Sequence, residues 1–290
     1  MSGFAARAAL SGQDAGFVAG VTWVPAPVAE ALVADQGGSS TAQALQTLAL
    51  ALDLDFAFVP AAEQWAEEAV ALLHEAGVAA VWSVAGVLGR AGESLGWSEA
   101  LIMSAAEPGA LAAPLAEALH TALGEARSGR DAGADAVLVA DDLAGKSGPL
   151  VSPDFALDAL VPCYASLAAV ARENHLPALF HSDGDVRSLY PALARAGYAA
   201  VHVAGLVGDS FLASVAAAHV AGLIALGGIE AATLLEGARR QGEAAGRAAR
   251  GGQLLVCDDG GITRPEEVAA LATALEAARA VFEAGEETTS

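Results

Sequence analysis

The sequence is poor in basic residues, and lysine is almost absent from it. Lys and Arg together number 14 against 35 Asp and Glu, which gives a formal net charge of −21. A surface of that charge repels nucleic acids and anionic membranes, so we expect neither as a partner. It also disfavours a highly anionic substrate unless arginines gather at the binding site. Solubility alone is the alternative explanation of the acidic excess.

Long apolar runs, cysteines and aromatic residues are also scarce. No apolar run approaches the roughly 20 residues of a membrane span, and the N-terminal stretch MSGFAARAALSGQDAG lacks the apolar segment of a signal peptide. We therefore expect a cytoplasmic protein, in which Cys163 and Cys257 do not form a structural disulfide. Aromatic residues make up 5% of the chain and apolar residues 54%, which predicts a core of Ala, Val and Leu.

The sequence does contain a regular alternation of short apolar runs and amphipathic segments. Eight strands are predicted, near Phe17–Val24, Phe56–Val59, Ala79–Val84, Ala136–Ala140, Ala178–His181, Ala199–Val203, Leu223–Leu226 and Leu254–Cys257. Helical patterns lie between them, at Ala42–Ala51, Ala61–Ala76, Pro108–Ala132, Pro153–Asn174, Val186–Ala196, Phe211–Ala218 and Ala231–Ala249. Several of these helices are followed by a glycine directly before the next strand, which is a common way for a helix to end.

Strand–helix alternation repeated about eight times indicates parallel strands joined by right-handed crossovers. With a length of 290 residues, it favours an α/β fold of the (β/α)8 (TIM) barrel type, as a single domain over residues 1–290. The segment Ala85–Met103 contains four glycines, and we expect it to be a loop that crosses the mouth of the barrel. The tail Ala284–Ser290 is predicted to be disordered.

Polar residues gather where three of the predicted strands end. Asp141 and Asp142 follow the fourth strand, His181 and Asp183 lie at the end of the fifth, and His202 ends the sixth. In a parallel barrel the carboxyl ends of the strands carry the active site, so Asp141, Asp142, His181 and His202 are the candidate catalytic residues. A carboxylate there can act as a general base, bind a cation or orient a substrate. His181 is a candidate metal ligand or acid–base group, and Asp183 can reach the same centre.

These candidates also have purely structural interpretations. One of the two aspartates can cap the turn that follows it, and His181 can donate to a backbone carbonyl inside the barrel. Gly227 and Gly228, after the seventh strand, can expose N–H groups to a phosphate or form a tight turn. Asp259 and Gly260, after the eighth strand, can bind a metal or a cationic ligand or form a similar turn.

A set of short motifs also follows a recognisable order along the chain. The motifs are Asp141-Asp142, Gly148-Pro149-Leu150-Val151-Ser152-Pro153, Pro162 with Tyr164, His181-Ser182-Asp183-Gly184, Leu226-Gly227-Gly228-Ile229 and Gly261-Ile262-Thr263-Arg264-Pro265-Glu266. In combination they resemble the uroporphyrinogen decarboxylase superfamily, which includes the decarboxylase of haem synthesis and zinc methyltransferases that serve corrinoid proteins. The resemblance implies a barrel, and a homodimer is compatible with it. We assign substrate contacts to Lys146, the only lysine, and to Tyr164, Gly227, Gly228, Asp259 and Gly260.

The sequence departs from the decarboxylase pattern that the resemblance implies. Those enzymes have an arginine-rich N-terminal segment that binds the substrate carboxylates, whereas Arg7 is the only arginine here before Arg90. They also have a histidine near the last strand, where this chain has Gly260. Decarboxylation of uroporphyrinogen is therefore not expected.

The sequence also departs from the methyltransferase pattern. The resemblance implies a zinc site of a His-x-Cys pair and a distant Cys, in which zinc keeps a bound thiol deprotonated so that it can accept a methyl group. Here His181 is kept, Asp183 stands in place of the first Cys, and Cys257 lies close to the place of the second. The zinc site that the resemblance implies is thus a modified one, formed by His181, Asp183 and Cys257.

Three functions stay open from the sequence. The first is an enzyme that transfers a methyl (one-carbon) group to or from a corrinoid or folate-like carrier, with zinc as a candidate metal and a small molecule as substrate. The second is a decarboxylase-like lyase without a metal. The third is a catalytically reduced barrel that binds a corrinoid protein, which the missing family residues favour.

Overall fold

The computed structural model describes residues 2–10, 13, 15–33, 40–145, 148–252 and 254–286. Its fold class is the (β/α)8 barrel that the alternation predicts. The strands are β1 (Gly20–Val21), β2 (Phe56–Pro60), β3 (Ala79–Ala85), β4 (Ala136–Ala140), β5 (Ala144–Gly145), β6 (Gly148–Pro149), β7 (Ala178–Asp183), β8 (Tyr198–Ala204), β9 (Ile224–Ile229) and β10 (Leu254–Asp258). Eight of them form one sheet in the order β1-β2-β3-β4-β7-β8-β9-β10, and β5 and β6 form a separate antiparallel pair.

Helices lie between the strands of the sheet, as the amphipathic segments predict, and one helix precedes β1 and another follows β10. They are α1 (Ser2–Leu10), α2 (Ala26–Val33), α3 (Thr41–Ala51), α4 (Ala66–Glu75), α5 (Val87–Leu95), α6 (Trp97–Ala106), α7 (Ala112–Asp131), α8 (Pro153–Phe155), α9 (Val161–Glu173), α10 (Tyr190–Ala196), α11 (Gly208–Val220), α12 (Leu234–Ala249) and α13 (Pro265–Glu286). Short 3-10 turns precede α7, α10 and α12, and a π-helical turn, Ala156–Leu160, joins α8 to α9.

The prediction of a long loop over Ala85–Met103 is wrong, because this segment forms α5 and α6. Its glycines permit close packing. A Cβ on Gly86 would lie 2.2 Å from the Cβ of Asp141, and a Cβ on Gly92 would lie 2.9 Å from the Trp97 ring. Gly96, with a φ of +93°, ends α5 and begins the turn into α6.

The predicted disorder of the tail is wrong for its first three residues. Ala284–Glu286 form the last turn of α13, a helix that buries Leu271, Ala274 and Ala278. Residues 287–290 lie outside the described part of the chain.

The chain forms two compact units, of which the first comprises Met1–Val81 and Ile224–Ser290. Within it β1 pairs in parallel with β2, β9 pairs in parallel with β10, and a bridge between Ala19 and Val256 links the two pairs. The helices α12 and α13 pack closely at Gly242 and Gly246, where an added Cβ would lie 2.0 and 2.2 Å from backbone carbonyl oxygens of α13.

The second unit, Trp82–Leu223, contains β4, β7 and β8 side by side and parallel. On one face of β7, the Phe180 ring lies 4.9 Å from that of Tyr164 on α9 and 5.7 Å from that of Tyr198 on β8. Because side chains alternate along a strand, the neighbouring His181 faces away from this aromatic cluster.

The helical segment Pro153–Glu173 is long and apolar enough to cross a membrane by length and composition alone. Core helices of soluble proteins meet the same criterion. Here Tyr164, Leu167 and Ala171 are fully buried, and the Tyr164 ring packs against Phe180 at an interplanar angle of 59°, so the segment packs as a core helix of the second unit.

Candidate functional site

The register of the parallel strands brings the predicted site residues of the second unit together. Ala140 pairs with His181, and His181 pairs with His202. His181 and Asp183 are two residues apart on β7 and therefore lie on the same face. Asp142 follows β4, and its Oδ1 accepts a hydrogen bond from the backbone N–H of Asp183 at 3.1 Å.

Asp142, His181 and Asp183 form a compact group with one nitrogen and two oxygen ligand atoms. His181 Nε2 lies 3.4 Å from Asp142 Oδ1 and 4.0 Å from Asp183 Oδ1, and the candidate ligand atoms all lie within 4.8 Å of one another. The neighbouring His181 ring lowers the pKa of Asp142, so this carboxylate is ionised at neutral pH. The arrangement can hold a divalent cation, or it can pair a protonated imidazole with two carboxylates.

His202 on β8 contacts His181 on the side of the ring that faces away from Asp142 and Asp183. The planes of the two rings differ by 29° and their centroids lie 4.9 Å apart, so the rings meet edge to edge, with their Nδ1 atoms 2.8 Å apart. Both histidines are buried. His202 thus contacts His181 at the nitrogen opposite the one that faces Asp142 and Asp183.

Asp141 lies apart from this group and is 1% exposed. Its carboxylate accepts hydrogen bonds from the backbone N–H groups of Leu88 and Gly89, at 2.9 and 2.7 Å, and from the Tyr164 hydroxyl at 2.8 Å. The first two donors belong to the N-terminal turn of α5, where an anion is favoured. Burial nonetheless raises the pKa of Asp141 to about 6. Asp141 therefore has the structural role of a capping residue, although it caps α5 and not the turn that follows it.

The predicted substrate contact Tyr164 is fully buried in the same interaction. Burial and the neighbouring Asp141 raise the pKa of Tyr164 well above its usual value, so that its hydroxyl remains a donor. The π-helical turn Ala156–Leu160 lies just before Pro162, which lacks the N–H that a regular α-helix would use there.

The sequence matches the uroporphyrinogen decarboxylase (URO-D) family over residues 58–253, which is more than half of the chain. The chain belongs to the URO-D family. The matched region contains the second unit and, with it, the Asp142–His181–Asp183 group. No protein with a curated description is significantly similar to this family member in sequence.

Solved structures that resemble this URO-D family member are barrels of several activities. A methyltransferase from Methanosarcina mazei is 19% identical with a TM-score of 0.73, covering 97% of this chain and 99% of its own. D-psicose 3-epimerase from Clostridium cellulolyticum H10 is 11% identical with a TM-score of 0.59, over 84% and 94% of the two chains. Tryptophan synthase from M. tuberculosis is 14% identical with a TM-score of 0.53, over 96% and 98%. At these identities the likeness concerns the fold.

The His-Ser-Asp-Gly motif of this URO-D family member has a physical reason at each position. Ser182 accepts a hydrogen bond from the backbone N–H of Leu143 at 2.9 Å and so ties the loop after β4 to β7. Gly184 has a φ of +74°, and a Cβ there would lie 2.8 Å from Ala144 and 2.9 Å from the carbonyl oxygen of Gly145. Only glycine lets the chain pass this close to β5.

The remaining predicted residues belong to the first unit, apart from Lys146, which lies outside the described residues. Gly227 and Gly228 lie inside β9, opposite Val256 and Cys257, and so do not follow the strand as predicted. Asp259 accepts a hydrogen bond from the backbone N–H of Ala231 at 3.0 Å, and Gly260 donates to the carboxylate of Asp258. These contacts stabilise the loop after β10.

Cys257 lies on β10 and is fully buried. Burial and the neighbouring Asp258 raise the pKa of its thiol well above the usual value, which disfavours the thiolate that zinc requires. Within the described part of the chain, Cys257 is not a member of the group of ligand atoms that contains His181 and Asp183. The third member of that group is instead Asp142, which the sequence suggested as a catalytic residue.

Proposed function

We propose that this URO-D family member is a metal-dependent enzyme that transfers a methyl group between a corrinoid or folate-like carrier and a small-molecule acceptor. The observation that carries the proposal is the convergence of Asp142, His181 and Asp183 at the carboxyl ends of β4 and β7. This is the end of a (β/α)8 barrel at which active sites lie. The likeness to a methyltransferase along nearly the full length of both chains supports the class of reaction.

The three side chains fit a zinc ion in number, type and spacing. Imidazole and carboxylate are both zinc ligands, and three protein ligands with one open position are typical of catalytic zinc sites. Two ligand atoms at about 2.1 Å from one tetrahedral ion lie about 3.4 Å apart, which agrees with the 3.4 Å between His181 Nε2 and Asp142 Oδ1. The 4.0 Å separation from Asp183 Oδ1 needs a small movement, and that side chain, which is 53% exposed, has room for it.

When bound there, zinc would act as a Lewis acid that keeps an acceptor thiol or hydroxyl deprotonated near neutral pH. Asp142 and Asp183 supply two negative charges at the site, which favour a cation and disfavour an anionic substrate. His181 is 8% exposed in its side chain and is therefore the fixed member of the group, while the two carboxylates adjust. We propose that the open side of the group receives the acceptor.

Ion pairs of three arginines do not favour the decarboxylase alternative. A substrate with many carboxylates needs available arginines, whereas Arg90 already pairs with Glu125, Arg187 with Asp185, and Arg264 with Glu267. The formal net charge of −21 adds to the repulsion of such a substrate. We therefore propose methyl transfer ahead of decarboxylation.

The test uses protein purified without chelator and supplied with zinc, methylcobalamin and a small thiol. We expect loss of the methylcobalamin spectrum and formation of the methyl thioether, both abolished in His181→Ala and retained in the control His219→Ala, an exposed histidine of α11. Turnover of uroporphyrinogen under the same conditions would contradict the proposal. Zinc binding without turnover of either compound, together with capture of a corrinoid protein, would favour the reduced barrel that acts as a binding partner.

A further inference from the structure

The pair formed by His181 and His202 restricts where the two rings carry their protons. A neutral imidazole has one N–H donor and one acceptor nitrogen. The two Nδ1 atoms lie 2.8 Å apart, which is the distance of a hydrogen bond, so one must donate and the other must accept. Two Nδ1–H groups would clash, and two bare nitrogens would repel each other. The protonated nitrogen of one ring therefore determines that of the other.

This restriction also sets the protonation of His181 Nε2, the ring nitrogen that faces Asp142 and Asp183. In one arrangement His202 donates from Nδ1, and His181 carries its proton on Nε2, directed at Asp142 and Asp183. In the other, His181 donates from Nδ1 to His202, and its Nε2 presents a lone pair to the two carboxylates. Only the second arrangement leaves a lone pair on Nε2 for a cation.

We infer that His202 is a positioning residue that accepts the Nδ1 proton of His181 and so selects the tautomer in which Nε2 binds a divalent cation. The inference rests on the proposed function, because it concerns the same cation. Metal-binding histidines are held by such partners, which fix the ring and the tautomer. Here the partner is a second imidazole, placed by the β7–β8 register that sets His202 beside His181.

The strand register and burial make this role specific to position 202. His202 is 2% exposed and lies on β8, between Val201 and Val203, so no water needs to mediate the 2.8 Å contact. Asparagine at this position carries a carbonyl oxygen close to the place of the imidazole Nδ1, and it can therefore accept the same proton. Leucine has a similar volume and no acceptor. The two variants separate the acceptor function from packing.

The experiment measures zinc affinity and histidine tautomers in the full chain. We expect His202→Leu to weaken zinc binding about 10- to 100-fold, the usual effect of removing such a partner, and His202→Asn to stay within a few-fold of the original protein. In 15N-labelled protein saturated with zinc, His181 should carry its proton on Nδ1 and His202 on Nε2. Thermal unfolding of each variant checks that it is folded.

Different outcomes overturn the two proposals. Equal zinc affinity in the original protein and in folded His202→Leu, or a zinc-bound His181 without a proton on Nδ1, would overturn the role of His202 and leave the metal site intact. If His202→Leu does not fold, the comparison of His202→Asn and the tautomer spectrum of the original protein still decide the matter. No zinc binding by the original protein would overturn both proposals.

Discussion

The Tyr164 hydroxyl donates a 2.8 Å hydrogen bond to the Asp141 carboxylate, although both residues are fully buried. A second buried tyrosine offers a matched comparison, because the Tyr190 hydroxyl lies 2.6 Å from the neutral Ser214 hydroxyl. Hydrogen bonds to charged groups contribute more than neutral ones. We expect Tyr164→Phe to lower the free energy of unfolding by about 1.5–3 kcal/mol and Tyr190→Phe by about 0.5–1.5 kcal/mol. Urea unfolding measures both, and equal losses would show that the hydrogen bond from Tyr164 to Asp141 is no stronger than the neutral one between Tyr190 and Ser214.

The raised pKa of Asp141 predicts a pH dependence of stability. Burial raises this pKa from 3.8 to about 6, so between these pH values the folded chain holds a proton that the unfolded chain has released. The stabilisation is complete below about pH 4 and is lost as the pH rises through about 6, by on the order of 3 kcal/mol. Burial also raises the pKa of Asp55 to about 6, so this carboxyl changes stability with pH in the same direction.

The comparison with Asp141→Asn isolates the contribution of Asp141. We expect the variant to be less stable at every pH, because its amide has a single acceptor oxygen for the three donors that contact Asp141. We also expect a shallower fall in unfolding free energy between pH 4 and 6. Denaturant unfolding at a series of pH values gives both slopes. An unchanged slope would show that Asp141 does not retain a proton in the folded chain.

The close approach of Gly86 to Asp141 predicts a strong effect of a single methyl group. A Cβ on Gly86 would lie 2.2 Å from the Cβ of Asp141, so Gly86→Ala must displace the capping carboxylate. We expect the free energy of unfolding to fall by about 1–3 kcal/mol. The matched control is Gly124→Ala, an exposed position in α7 with nothing within 4 Å of an added Cβ, which should stabilise by about 0.5–1 kcal/mol. Thermal unfolding compares the two.

The two cysteines should differ in reactivity. Cys257 is fully buried on β10, whereas Cys163 is partly exposed, and burial raises the pKa of both thiols. We expect one thiol per folded chain to react slowly with a thiol reagent at pH 8, and two after unfolding. Cys257→Ser should leave zinc binding unchanged, and a loss of zinc would restore Cys257 as the ligand that the family pattern implies.

Much of the fold and part of the site could be predicted from the sequence. The eight apolar runs located the strands because buried parallel strands read as continuous apolar segments. The two-residue spacing of His181 and Asp183 placed both side chains on one face of β7. The short contact between His181 and His202 depends on the register of β7 and β8, which the pattern of a single strand does not contain.

The separate roles of Asp141 and Asp142 could not be predicted from the sequence. Adjacent residues at a strand end point in opposite directions, and the local pattern does not indicate which one enters the site. Which aspartate enters the site depends on α5, because the N-terminal turn of this helix binds Asp141. The glycines of that segment had suggested a loop instead of a helix. Once α5 is recognised as a helix, Asp141 is required as its cap, and Asp142 is left to join His181.

The zinc content of four proteins tests the central claim most directly: the original protein, Asp142→Asn, Asp141→Asn and the exposed control Asp131→Asn. Each is purified without chelator, equilibrated with zinc, dialysed and measured by elemental analysis, with circular dichroism to confirm the fold. We predict one zinc ion per chain in the original protein, in Asp141→Asn and in Asp131→Asn, and loss of zinc in Asp142→Asn. An original protein without zinc, or equal zinc content in the two neighbouring aspartate variants, would contradict a metal site formed by Asp142, His181 and Asp183.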